Sequence, residues 1–260
     1  MGALERLAPT AAPSRLTHPV STYLWVNLGA ALVPLLFSFH PRLRFDRTWG
    51  AFWPANLLAG VVFIAWDVLY TAWGVWGFNP LHLGGLHLFG LPLEEWLFFV
   101  CIPYACLYTY HCLKILVPRD LLAPAVPAIT WALVAALSLT ALLYPGRIYT
   151  SVTFALTAAF LLLHLKVWRS PYLGRFYLGY LAIIPPFLLV NGLLTGSFIA
   201  EEVVWYDDTQ NLGIRCFTIP VEDFFYGMLL LLLNTTLYER FLRLKKDSSA
   251  PMTAKARGTP

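Results

Sequence analysis

Residues 92–110 read Pro-Leu-Glu-Glu-Trp-Leu-Phe-Phe-Val-Cys-Ile-Pro-Tyr-Ala-Cys-Leu-Tyr-Thr-Tyr, an acidic pair at the start of a long apolar run. The pattern returns at residues 220–238, which begin Pro-Val-Glu-Asp-Phe-Phe-Tyr. A proline followed by an acidic residue is common in the first turn of any helix. Two copies with matching flanks, 128 positions apart (220 minus 92), go beyond helix capping and predict an internal duplication.

The composition is that of an integral membrane protein. Hydrophobic residues make up 58% of the 260-residue chain and charged residues 12%, about half the charged fraction of a soluble protein. The apolar runs are about 20 residues or longer, which suits a membrane-spanning helix, whereas barrel strands are shorter and alternate in polarity. We therefore predict an all-α protein with seven transmembrane helices, at about residues 20–39, 50–76, 92–116, 122–144, 148–167, 174–197 and 219–243.

The distribution of Lys and Arg predicts the orientation of these spans. One side of the membrane carries four basic residues (Arg6, Arg15, Arg147 and Arg215) and the other side carries the remaining fourteen of 18. Because basic loops favour the cytoplasm, we expect a multi-pass protein of the cell inner membrane with its N-terminus outside and its C-terminus cytoplasmic. The net charge of +4 follows from this topology, and no nucleic-acid partner is expected.

The duplication and the spans together predict the architecture. Residues 20–116 and 148–243 form two three-helix repeats, and residues 117–147 supply a linker transmembrane helix. A three-helix unit fused directly to its copy would invert the copy, so the linker makes the repeats parallel, related by an axis along the membrane normal. Residues 1–19 are predicted to be a polar N-terminal segment, and residues 244–260 a disordered cytoplasmic tail.

Five carboxyl side chains are the candidate catalytic groups. Parallel repeats bring Glu94 and Glu95 to the same membrane face as Glu222 and Asp223, where they converge on one shared cavity or on two equivalent ones. Adjacent helical residues point about 100° apart, so at most one carboxyl of each pair faces such a cavity. Asp67 lies within an otherwise apolar segment and requires a partner or a proton. Carboxyl groups in contrasting environments can supply an acid and a base to one site.

Aromatic residues are abundant around the acidic pairs and make up 16% of the chain. Interfacial belts account for part of this enrichment. The functional interpretation is that aromatic faces stabilise a carbocation that the carboxyl groups create and discharge. The candidate substrate-binding residues are Trp66, Trp76, Phe78, Phe98, Phe225 and Tyr226, together with Asn191, which we match to Asp67 in the second repeat.

Several other classes of membrane protein lack support in the sequence. There is no glycine-rich dinucleotide motif and no phosphate-binding loop, so no cofactor is expected. The four cysteines show no metal-ligand spacing, and we predict no metal site. No lysine lies between Ile219 and Tyr238 to hold a retinal Schiff base in the last span.

Four motifs together resemble the lycopene cyclase domain family. They are Trp66-Asp67, Trp76-Gly77-Phe78-Asn79, Asn-Gly-Leu-Leu-Thr-Gly at 191–196, and the doubled acidic motif. Members of this family of small polytopic proteins occur as two short subunits, as a tandem fusion or as a domain of fungal bifunctional proteins. The chain resembles the tandem fusion over roughly residues 20–243. The resemblance implies a carotenoid cyclase without a nucleotide cofactor, with the acidic motifs (Glu94, Glu95, Glu222 and Asp223 here) as the proposed catalytic groups.

The resemblance further implies a lycopene β-cyclase that converts lycopene through γ-carotene to β-carotene. An acid protonates the terminal double bond, an internal double bond closes a six-membered ring on the cation, and a base removes a neighbouring proton. We expect Glu94 and Glu222 to be acid and base, with Glu95, Asp223 and Asp67 orienting or tuning them.

Three alternatives remain open: an ε-ring or C50 carotenoid cyclase, an intramembrane prenyltransferase, and a non-catalytic carotenoid-binding or transport protein. The partners expected are lycopene and γ-carotene as substrates, the lipid bilayer, and other carotenoid enzymes.

Overall fold

The computed structural model describes residues 21–248, and within that part seven long α-helices carry the fold. The predicted N-terminal segment, residues 1–19, and residues 249–260 of the predicted tail lie outside the described residues, whereas residues 244–248 of that tail continue α7 as helix. The helices are α1 (Thr22–Phe37), α2 (Trp49–Ala72), α3 (Leu93–Leu116), α4 (Val126–Leu143), α5 (Ile148–Leu162), α6 (Leu173–Leu194) and α7 (Val221–Ser248). Each helix begins within a few residues of a predicted span.

Five helical segments are long and apolar enough to cross a membrane: Phe45–Ala72, Leu93–Leu116, Ala123–Leu143, Ile148–Val167 and Leu173–Leu194. Helix α1 is apolar but has only 16 residues. Helix α7 has 28 residues and lies outside that group; it carries Glu222 and Asp223 in its first turn and Lys245 and Lys246 in its last turn. Length and composition therefore support a helical membrane protein, and the count of seven spans stays a prediction.

Short strand pairs in the connections between helices add to the predicted all-α fold. Strands β2 (His87–Leu88) and β3 (Leu91–Pro92) form a hairpin directly before α3. Strands β5 (Arg215–Cys216) and β6 (Ile219–Pro220) form the corresponding hairpin before α7, 128 positions later. Such pairing satisfies backbone groups that would otherwise lie unpaired beside an apolar phase.

A third strand pair joins the two halves of the chain. Strand β1 (Trp76–Phe78) pairs antiparallel with β4 (Val204–Tyr206), with Gly77 opposite Trp205. Two further backbone bonds extend this ladder symmetrically: the Asn79 amide donates to the Val203 carbonyl (2.8 Å), and the Asp207 amide donates to the Val75 carbonyl (2.9 Å). The 128-position shift converts one of these bonds into the other, since it takes Asn79 to Asp207 and Val75 to Val203, so the ladder has a local two-fold axis between the halves.

The helices of the two halves interlock. Helix α1 packs along α3, and α5 packs along α7, each within its own half. Helix α2 of the first half packs against α7 of the second half, and α6 of the second half packs against α3 of the first half. The halves therefore exchange their middle helices, each of which contacts the last helix of the other half. Helix α4 packs on α5 at the outside. This exchange places the starts of α3 and α7, which carry the acidic pairs, close to the β1–β4 ladder.

Candidate active site

A cavity of about 300 Å³ lies among helices α1, α3, α6 and α7, beneath the β1–β4 ladder. Carboxyl groups from both halves of the chain line it: Asp67, Glu95 and Asp223. Most of the remaining wall is aromatic or aliphatic. The structure thus favours one shared cavity over two equivalent ones within the described residues.

The first half contributes two carboxyl groups that interact with each other. Asp67 on α2 accepts a hydrogen bond from the indole Nε1 of Trp76 (2.5 Å), whereas its Oδ2 has no hydrogen-bond partner among the described residues. Its carboxyl interacts electrostatically with that of Glu95, and both line the cavity. The phenol of Tyr23 on α1 donates to Oε2 of Glu95 (2.5 Å). Two anionic carboxylates in contact inside a protein repel each other, whereas one proton held between them makes the pair stable. This arrangement has the form of a proton donor.

The second half contributes one carboxyl group surrounded by neutral donors. The phenol of Tyr149 donates to Oδ1 of Asp223 (2.5 Å), and the phenol of Tyr206 donates to Oδ2 (2.9 Å). The amide of Asn191 also donates to Oδ2 (3.2 Å). Burial favours the neutral form of a carboxyl group, and hydrogen bonds of this kind act against burial by stabilising the ionised form. The shift of 128 positions that aligns the acidic pairs matches Asp67 to Thr195, whereas the match of Asp67 to Asn191 uses a shift of 124 positions (191 minus 67). Neither position of the second half carries an acid.

Tyr206 lies in β4, in the connection between α6 and α7. Its burial, together with the adjacent Asp223 carboxylate, raises the pKa of the Tyr206 phenol well above its ordinary value. The phenol therefore keeps its proton over the physiological range and remains a donor to Asp223.

Glu94 and Glu222 do not line the cavity. Oε1 of Glu94 accepts from Ser21 Oγ (2.6 Å) and from the amide of Gly84 (2.6 Å). Oε1 of Glu222 accepts from Thr150 Oγ1 (2.6 Å) and from the amide of Leu212 (2.8 Å). Each of these carboxyl groups thus connects the segment that precedes its helix to the start of the first helix of the same half. Contacts of this kind stabilise the fold.

The predicted substrate-binding residues also divide into those that line the cavity and those that do not. Trp76, Phe78, Phe98, Asn191 and Tyr226 line the cavity. The ring of Tyr226 lies at the centre of an aromatic cluster, with centroids 5.1 to 6.3 Å from those of Phe63, Trp66, Trp76 and Tyr149.

Trp66 and Phe225 lie outside the cavity wall. Trp66 stacks on Phe63 (5.7 Å between centroids) and packs edge-on against the ring of Tyr226 (5.3 Å). Phe225 packs edge-on against Phe154 (5.0 Å) in the core between α5 and α7.

Tyr23 and Tyr149 are site residues that the sequence analysis did not single out. Each is the second residue of the first helix of its half, and each donates to a cavity carboxyl. A signal for them exists in the sequence, because the hydroxyl-rich stretches Ser-Thr-Tyr at 21–23 and Tyr-Thr-Ser at 149–151 begin equivalent spans.

The site can move protons in an apolar, aromatic enclosure. It offers a carboxyl pair suited to giving a proton, a separate carboxylate suited to taking one, and aromatic faces between them. Within residues 21–248 no group of three or more His, Cys, Asp or Glu side chains is arranged to hold a metal ion.

The family model for lycopene cyclase matches the chain twice, over residues 20–113 and 146–241. The two matches coincide with the two halves that meet at the β1–β4 ladder. No curated protein and no solved structure matches the chain significantly.

Proposed function

Because the chain belongs to the lycopene cyclase family, we propose that it is a lycopene β-cyclase, which closes the ends of lycopene through γ-carotene to β-carotene. The observation that supports this most directly is the single cavity that carboxyl groups from both halves line. The family match makes the chain a carotenoid cyclase of the membrane, and the reaction steps below are our proposal.

The Asp67–Glu95 pair is the acid. Its shared proton is added to the terminal double bond of the substrate, which leaves a tertiary cation. The pair carries one negative charge while it shares the proton and two after it gives the proton to the substrate. Hydrogen bonds from the Tyr23 phenol and the Trp76 indole, together with the positive charge of the substrate cation, stabilise the second negative charge. The roles expected from the sequence therefore move by one residue, from Glu94 to Glu95.

Asp223 is the base. The internal double bond attacks the cation, one C–C bond forms, and the positive charge moves into the new ring. Asp223 then accepts a proton from the carbon next to that charge, which restores a double bond. The substrate gains one proton from the acid pair and gives one to Asp223, so the reaction is an isomerisation and consumes no co-reactant. The proton on Asp223 must return to the acid pair before the next cyclisation. Glu222 is structural in this proposal.

The aromatic wall stabilises the cation until the base acts. Tyr226, Trp76 and Phe98 line the cavity beside the carboxyl groups. Ring faces attract a cation, and an apolar enclosure keeps out the water that would otherwise capture it as an alcohol. A carotenoid binder would need the rings but not three ionisable groups buried at one end.

The orientation rests on the distribution of basic residues. We propose an inner-membrane protein with the starts of α3 and α7 at the outer face, since the described Lys and Arg residues concentrate at the opposite helix ends, for example Lys114, Arg240 and Arg243. Contact with other carotenoid enzymes stays a prediction.

The test is pigment analysis in bacteria that accumulate lycopene. We expect the wild-type chain to replace lycopene with β-carotene, and Glu95→Gln and Asp223→Asn each to lower turnover by about 10²- to 10⁴-fold. Persistence of lycopene beside the wild-type protein, with its membrane expression confirmed, would refute the cyclase assignment. An ε-ring or C50 product would change the ring type or substrate but keep the acid and base.

A further inference from the structure

The cavity continues past the carboxyl groups as an apolar groove along α3. The α3 residues that line it are Glu95, Phe98, Ile102, Ala105, Cys106 and Thr109. Their spacing is that of one helix face. From Glu95 to Thr109 there are fourteen positions (109 minus 95), so the groove runs for about 21 Å along the helix. We call it the α3 groove.

The walls of the α3 groove carry no charge away from its carboxyl end. Helix α1 contributes Ala30 and Pro34 on one side. Helix α6 contributes Ile183, Phe187 and Val190 on the other side. All three carboxyl groups lie at one end, so the cavity has an acidic end and a long apolar part that continues from it.

The groove is open on its lipid-facing side. Ile102, Ala105 and Thr109, on the α3 face between α1 and α6, are only partly buried. Pro186 on α6 lines the groove and is exposed. In a membrane this opening faces hydrocarbon, so an apolar chain can enter sideways without crossing water.

We propose that the α3 groove binds the unreacted polyene of the substrate while one end lies at the carboxyl groups. The inference rests on the proposed function. Its further basis is continuity: a long hydrocarbon with one end at Glu95 and Asp223 must place the rest of its length somewhere, and the groove is the apolar space that continues from that point. The substrate then enters and leaves through the gap between α1 and α6.

Two small side chains set the width of the groove. Ala30 and Ala105 both line it, and each presents only a methyl group to the space. A larger side chain at either position fills volume that the polyene needs, and it does so at a distance from the proton-transfer groups. Ala105 lies ten positions, or about 15 Å, beyond Glu95 along α3.

The experiment measures retention of lycopene by a variant that cannot react. Glu95→Gln is produced in lycopene-accumulating bacteria and purified in lipid nanodiscs, and the moles of lycopene per mole of protein are determined. We expect Glu95→Gln to retain lycopene, and Glu95→Gln with Ala105→Phe to retain about tenfold less. The milder Ala30→Val, in the same background, should reduce retention less. The matched control is Ala135→Phe, at an exposed position on α4 outside the groove.

The outcomes are distinct from a failure of the proposed function. Equal retention by Glu95→Gln with and without Ala105→Phe overturns the groove, even if the wild-type chain cyclises lycopene. If Ala105→Phe removes co-purifying phospholipid but leaves the amount of bound lycopene unchanged, the groove is a lipid site and the proposal is also overturned. Absence of lycopene from Glu95→Gln itself counts against the groove, because the groove should hold the polyene without proton transfer. Unaltered thermal unfolding of all variants is required for these comparisons.

Discussion

At the scale of single residues, neighbours in the acidic pairs have different tasks. Glu95 and Asp223 face the cavity, whereas Glu94 and Glu222 accept bonds from a hydroxyl and a backbone amide. The reason is the 100° rotation per helical residue, which sends adjacent side chains in different directions. Glu94 and Glu222 are each bound through Oε1 to the connection before their helix, and neither lines the cavity where a substrate would bind.

This division predicts opposite behaviour for two similar substitutions. Glu94→Gln keeps an oxygen that accepts from Ser21 and Gly84, so we expect turnover within a few-fold of wild type and a loss of about 1–3 kcal/mol in the free energy of unfolding. Glu95→Gln should instead lose turnover with little change in stability. Pigment assays and thermal unfolding of the two purified variants check this. Full activity of Glu95→Gln beside an inactive, stable Glu94→Gln would reverse our assignment.

At the scale of elements, the β1–β4 ladder positions the acid pair. Trp76 in β1 donates to Asp67, and its neighbour Gly77 lies opposite Trp205. A Cβ added to Gly77 would lie 2.3 Å from Cζ2 of Trp205, closer than any real contact. The indole therefore occupies the space that any side chain at position 77 would need.

Gly77→Ala should consequently disturb both the ladder and the site. We expect a loss of about 1–3 kcal/mol in stability and a clear fall in turnover, because Trp76 shifts away from Asp67. Trp205→Val in the same chain should restore much of both. Gly29→Ala is the control, since nothing lies within 4 Å of its added Cβ and the residue is exposed on α1. A fully active and stable Gly77→Ala would show that the ladder does not position the site.

At the scale of the whole molecule, two repeats build one site rather than two. The first half supplies Asp67 and Glu95, and the second half supplies Asp223, all to the same cavity. The β1–β4 ladder and the exchange of α2 and α6 bring these halves together. Under the proposed function, we expect the two ends of lycopene to react in turn, with release and reversal of the molecule between the two cyclisations.

A time course tests this order. With limiting protein and excess lycopene in membranes, we expect nearly all early product to be monocyclic, with the bicyclic product rising only after a lag. Pigments extracted at successive times and separated by chromatography give the ratio. Bicyclic product in a constant proportion from the first time point would mean that both ends react in one binding event, which the single cavity does not allow.

Much of this protein is determined by local sequence alone. Long apolar runs predicted the positions of the helices within a few residues, because hydropathy and helix length are local properties. The repeated acidic motif predicted the duplication, and with its flanks it identified the lycopene cyclase family, which the two family matches confirm. The same motif also led to the candidate site, since both acidic pairs begin helices that reach the cavity.

The tertiary structure decided which atoms meet. Glu95 is paired with Tyr23, 72 positions away, and Asp223 with Tyr149, 74 positions away, and no local pattern encodes such contacts. Whether Glu95 or Glu94 faces the cavity depends on a difference of one position along the helix. The start of a helix predicted from sequence is uncertain by one or two positions, so the sequence alone does not distinguish the two residues. Whether two repeats form one cavity or two depends on how they pack, because the same helices could bury their faces within each half or across the halves.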